Sequence, residues 1–212
     1  MELEIAMPDF GSRATLLVPS NLIHVPCVKQ RTDFSCGAAA TLSLLRYWVP
    51  GAFEDAHEDD LFEPLHTTPA NGTEPEPIAA YLQDVVGLEA KYEHGDVTLA
   101  QLEGAVDAGQ PPLVDLQAWR DGNRPWPEVW DAGHYVVLVG YDAENLFFMD
   151  PSVLSPGPYA YVPKAELDER WHDLAGPSDT RVWRMTVFVR GDDGEHWTPD
   201  GSTPTTSATR MG

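Results

Sequence analysis

Residues 134–150, HYVVLVGYDAENLFFMD, constrain this chain more than any other stretch. Two apolar segments flank a four-residue spacer, DAEN, made of turn-forming residues. The pattern predicts a β-hairpin with strands over 134–141 and 146–150. Further strands are expected over 112–119 (PLVDLQAW) and 181–189 (RVWRMTVFV). Helical patterns come mostly earlier. One spans 36–48 and stops before Pro50-Gly51. A second follows a Thr73/Glu76 capping box and ends at Gly87, and a third follows a Thr98/Gln101 box. A short fourth is expected after Pro163, through KAELDERW. Helices first and then a mostly antiparallel sheet make an α+β pattern rather than an alternating βαβ series.

The chain of 212 residues suffices for one domain with a sizeable core, expected over 1–190. Residues 191–212 are polar and without periodicity, and are expected to form a flexible tail carrying no chemistry. Thirteen Lys+Arg against 34 Asp+Glu leave a formal charge of −21. Such a surface repels phosphate backbones and anionic lipid, which argues against nucleic-acid and membrane-surface partners. No apolar run long enough for a membrane span is present, and the first twenty residues lack the pattern of a secretory signal. Two cysteines do not form a disulfide framework, so a reducing cytoplasm is the expected compartment. His57 and His66 lie in an acidic stretch that reads as a solvent-facing charge run; no metal and no cofactor are expected.

The two cysteines stand in different settings. Cys27 sits between Pro26 and Val28 and reads as a small apolar residue. Cys36 opens the first helix, where unpaired N–H groups and the helix dipole favour a thiolate. A thiol nucleophile needs a base and a group to orient it. His134 begins a strand and Asp150 ends its hairpin partner, so the two are expected side by side at the rim of the sheet. Gln30, six residues before Cys36, is placed to donate to a developing oxyanion together with the Cys36 backbone N–H. Trp119, Trp126 and Trp130 lead into Gly133 and His134. Trp126, Trp130 and Gly133 are the expected substrate contacts, although core packing of this loop explains the tryptophans equally well.

QRTDFSCGAAATLSLL together with GHYVVLVGYDAENLFFMDP resembles the papain-like cysteine peptidases, specifically the bacteriocin-processing, double-glycine leader peptidase family and its stand-alone relatives. In that family a Gln stands six residues before a catalytic Cys-Gly, a helix follows, and an HxVVL strand and an Asp-Pro close the pattern. The resemblance runs over roughly residues 23–152. It implies a papain-like fold, with a helical part carrying the nucleophile helix packed on a C-terminal antiparallel sheet. It also implies thiolate attack on the amide bond of a peptide or protein substrate through Cys36, His134 and Asp150, with Gln30 at the oxyanion. Two departures stand out: SCG replaces the frequent DCG, and nothing matches the fused transporter segments, so double-glycine specificity is not carried over. A transglutaminase-like or acyltransferase enzyme using the same triad, and a non-catalytic peptide-binding module, are the alternatives.

Overall fold

The computed structural model describes residues 14–176, 178–191, 196–199 and 205–212. The expected hairpin is formed by β4 (Gly133–Tyr141) and β5 (Asn145–Met149). Asp142 closes it, with its Oδ1 accepting from the N–H groups of Glu144 and Asn145 at 2.8 and 2.7 Å. A bulge between Leu138 and Gly140 shifts the register by one residue. Around this pair an eight-stranded sheet is built. The other members are β1 (Thr15–Leu17), β2 (Glu89–Glu93), β3 (Leu113–Gln117), β6 (Tyr159–Pro163), β9 (Thr186–Arg190) and β10 (Ser207–Arg210). The strand order is β1-β10-β6-β5-β4-β3-β9-β2, and among the described residues only the β10–β6 pair is parallel. A separate two-stranded ribbon joins β7 (His172–Ala175) and β8 (Thr180–Trp183).

Helices cover both faces of the sheet, which is why its central strands are apolar almost throughout instead of alternating. On one face lie α1 (Cys36–Trp48) and α2 (Pro75–Ala80), packed on Leu113, Tyr135, Val137, Val139, Phe147 and Met149. On the other lie α3 (Leu99–Asp107) and α4 (Lys164–Arg170), packed on Val114, Leu116, Val136, Leu138 and Phe148. Eleven of the thirteen residues of α1 are buried, so its polar groups need internal partners. Thr41 and Ser43 supply their own by donating to the carbonyls of Gly37 and Ala39 at 2.7 and 3.0 Å. Gly37 lets the helix seat this closely, since a Cβ there would come within 2.7 Å of the Thr73 side chain and 3.1 Å of Tyr135. Among the described residues no helix is long and apolar enough to cross a membrane.

Three expectations need correction. The Thr73/Glu76 box does not form: Pro75 sets the helix start behind an N-cap at Glu74, and the Thr73 hydroxyl pairs with Thr67 at 2.8 Å. The Thr98/Gln101 box does form. The expected strand over 181–189 breaks into β8 and β9 at Arg184, whose φ of 61° turns the chain. The Arg184 N–H donates to Trp171 O at 2.7 Å and pins that turn. Finally, the polar C-terminus is not simply a tail. Residues 207–210 form β10 between β1 and β6, with Ala208 and Met211 buried, because an otherwise open sheet edge there offers unpaired backbone groups.

Candidate active site

Cys36 is the first residue of α1 and is partly exposed, with its thiol unoxidised. Ser35 occupies the N-cap position, yet its side chain does not cap the helix. Its hydroxyl donates instead to Oε1 of buried Glu58 at 2.9 Å, and the same oxygen accepts from the Arg31 N–H at 2.7 Å. The N–H groups of the first turn of α1 are thus left without a side-chain cap, where the helix dipole also favours negative charge.

His134 lies at the start of β4, buried at the sheet's rim. Its Nε2 meets Asp150 Oδ1 at 2.8 Å, and Cys36 is among the neighbours that act on the ring's pKa. With Nε2 committed to Asp150, Nδ1 is the nitrogen left for Cys36. Burial opposes a charged imidazole, but the hydrogen bond and charge of Asp150, reinforced by Cys36, raise the His134 pKa to about 10. Asp150 is equally buried. Desolvation would raise its pKa, yet donors from His134, the Ser155 hydroxyl and the Ser152 N–H hold it below the usual carboxylate value. The Trp119 ring lies 4.9 Å from that of His134, centroid to centroid.

The loop that carries Asp150 is fastened by a residue absent from the expectations. Lys29 Nζ donates to the carbonyls of Asp150, Ser152 and Gly157 at 2.9, 2.8 and 2.8 Å. Next to it, the Gln30 N–H donates to Pro151 O at 2.9 Å. The segment before α1 and the segment after β5 are therefore stitched together, although 121 residues separate Lys29 from Asp150. The Gln30 side chain is buried; Nε2 donates to Thr32 O at 2.7 Å and Oε1 has no partner. Cys27 lies under the same loop, its thiol 3.7 Å from Asp150 O. Burial pushes its pKa up to about 11, so it stays protonated.

A cavity of about 310 Å³ opens beside Cys36. Trp130 and Gly133 line it, together with Asp115 and Tyr135 from the sheet and Asp173 from β7. Trp126 does not. It is 3% exposed and packs under the Arg170 guanidinium, whose carbon lies 3.8 Å from the ring centroid, so its place is structural. Asp115 and Asp173 were not anticipated. A lone Asp in the apolar run PLVDLQAW was the available signal for the first; nothing marked the second. Burial followed by the charge of Asp173 raises the pKa of Asp115 well above the ordinary value, with His134 opposing the rise. Burial brings the pKa of Asp173 up to about 6, although Gln117 donates to it at 3.0 Å. Burial and mutual repulsion disfavour charging both members of the pair.

Comparison with known proteins adds to this geometry. A model of the Peptidase_C39 like family matches residues 22–178. Among solved structures, a C39-like peptidase from Bacillus anthracis superposes with a TM-score of 0.57 at 17% identity, covering 84% of this chain and 98% of that one. The peptidase domain of Streptococcus ComA, a bi-functional ABC transporter involved in quorum sensing, gives 0.54 at 18% identity over 80% and 100%. A double glycine motif protease from an AMS/PCAT transporter, solved with its leader peptide, gives 0.51 at 16% over 82% and 97%. These likenesses establish a shared α+β, papain-like fold. Among curated proteins none matches significantly.

Proposed function

Because the chain belongs to the Peptidase_C39 like family, a family of cysteine peptidases, we propose that it cleaves a peptide bond of a peptide or protein substrate through Cys36, His134 and Asp150. The observation that supports this reading is the Asp150 carboxylate held 2.8 Å from His134 Nε2, with Cys36 among the groups that act on the same ring. Asp150 makes the charged form of the His134 imidazole favourable, so the ring can take the thiol proton as Cys36 attacks. The thiolate adds to the substrate carbonyl, and the oxygen that gains the negative charge is received by the Cys36 N–H and the second amide proton of Gln30. Collapse breaks the C–N bond as His134 gives its proton to the leaving amine, leaving a thioester on Cys36. Neutral His134 then takes a proton from water, hydroxide adds to the thioester, and the carboxylic acid leaves as the thiol re-forms. Asp150 holds the ring orientation and stabilises its charged form.

The test is chemical as well as catalytic. Cys36 is expected to react with iodoacetamide at neutral pH faster than a free thiol, and Cys36→Ala is expected to abolish both that reaction and cleavage of a peptide library. A Cys36 no more reactive than a free thiol sinks the activated nucleophile. Amine adducts in place of cleavage would make the enzyme a transferase. The acidic pocket beside Cys36 gives no reason to extend double-glycine specificity to this chain.

A further inference from the structure

The cavity beside Cys36 has an unusual wall. Its ionisable lining, Cys36 apart, consists of Asp33, Glu74, Asp115, Asp131, Asp173, Asp179 and the phenol of Tyr135, with no Lys, Arg or His among the lining residues. Nearby cations are already engaged, one of them by a lining acid. Arg124 pairs with Asp131 at 3.1 Å, and the Arg181 guanidinium lies over the Trp130 ring, 4.7 Å from its centroid.

Acidic lining alone would be a solvated surface, but two groups here are not solvated. Asp115 is 3% exposed and its Oδ1 has no hydrogen-bond partner; Tyr135 is 5% exposed and its hydroxyl has none. Both belong to the pocket wall. A buried polar atom without a partner is costly, and an occupant that supplies N–H donors removes that cost. The site is also made room for. A Cβ at Gly133 would fall on the Asp173 carboxylate, so the glycine before His134 is what admits the acid. Among the described residues no group of three or more His, Cys, Asp or Glu side chains is arranged to hold a metal ion. The complementary occupant is therefore a compact organic cation with several donors, of a size suited to a small ligand pocket.

We propose that this pocket is a specificity site for a cationic group of the substrate, a lysine or arginine side chain or a terminal ammonium, close to the bond that Cys36 attacks. The proposal rests on the peptidase reading for its biological sense, though cation binding can be measured without it. An ammonium or guanidinium brings charge to Asp173 and donors to Asp115 Oδ1 and the Tyr135 oxygen at once. A carboxylate in the same place meets only acids, so acidic residues next to the cleaved bond are excluded by the same wall.

The experiment compares benzamidine with its uncharged isostere benzamide by calorimetry on the full chain. Benzamidine is expected to bind at least about tenfold more tightly and to slow alkylation of Cys36 by iodoacetamide, whereas benzamide does neither. Asp173→Asn and, separately, Asp115→Asn are expected to collapse the difference to within about twofold, with melting curves confirming that each variant is folded. Equal binding of the two probes to the native protein overturns the proposal. So does a benzamidine preference that leaves Cys36 unprotected, or one that survives in both variants. Where a peptide library is cut, Lys or Arg is expected to be enriched beside the scissile bond; cleavage without that enrichment also overturns it. A Cys36 that shows no enhanced reactivity without any ligand strikes the peptidase reading instead and leaves the binding result standing.

Discussion

Asp150 and Asp115 are both aspartates and both nearly inaccessible, one just past β5 and one on β3, the strands that flank β4, yet their pKa values are pushed in opposite directions. Asp150 accepts from His134, Ser152 and Ser155, in a loop whose carbonyls converge on Lys29. Three donors outweigh burial, and the carboxylate stays charged. Asp115 faces a second acid instead, so burial followed by that charge pushes its pKa well up. Burial therefore does not decide the charge of a carboxyl; the number of donors aimed at it does. One side of the cleft is built to orient an imidazolium, and the other is left short of donors that a ligand can bring.

That contrast can be broken at four points, beginning where the effect is largest. Asp150→Asn removes the charge that favours the imidazolium. It is expected to lower kcat/KM by about 10³-fold or more, equivalent to about 4 kcal/mol. The alkaline limb of the pH profile, set near pH 10 by His134, should move down, since an imidazole that has lost its carboxylate binds its proton less well. A limb that stays in place would mean that Asp150 does not set the His134 charge.

Lys29→Met tests the loop rather than the acid. It strips a charged donor from the carbonyls of Asp150, Ser152 and Gly157 and is expected to cost about 2 kcal/mol in urea denaturation. Cleavage should fall with it as Asp150 loses its fixed position. Retained stability would show the loop to be held by other means.

Asp173→Asn relieves the opposing pair while keeping an oxygen for Gln117. Unfolded, an aspartate binds its proton only below about 3.9, whereas folded Asp173 binds it up to about 6. Between those values the native state holds more protons, so native stability falls as pH rises through the window and stays reduced above it. The variant is expected to be more stable than the native protein by about 1 kcal/mol at pH 8, a figure discounted for partial exposure, and to show little difference at pH 4. A gain at pH 4 equal to that at pH 8 would remove the ionisation argument.

The smallest effect belongs to Gly133→Ala. The added methyl group displaces the Asp173 side chain, which can rotate away, so stability should change by about 0.5 kcal/mol or less. The cation preference should nonetheless weaken severalfold in the calorimetric comparison with benzamide. An unaltered preference would show that the carboxylate position does not matter.

Much of one half of this comparison was legible in the sequence. The hairpin spacing placed His134 against Asp150, and the Ala-rich run after Cys36 marked a buried helix whose start carries the thiol. Both are local patterns, set by a period and a turn. The other half was not legible, because Asp115 and Asp173 lie 58 positions apart and meet only where β3 comes against β7. Lys29 was equally hidden, since its partners are backbone carbonyls more than a hundred residues away, which no side-chain pattern announces. The short strands β1, β2 and β10 escaped for a related reason: a strand of three to five residues owes its existence to the neighbour that pairs with it.

The sequence by itself determined the α+β class, the helix that begins at Cys36, and the hairpin that brings a histidine to an aspartate, because periodicity and turn chemistry act over a few residues. Tertiary structure alone decided which carboxylates keep their charge, which tryptophan faces the cleft, and what lines the space beside the thiol. Those depend on donors, burial and opposing charges gathered from distant segments, and the chain defines them only once it has closed around them.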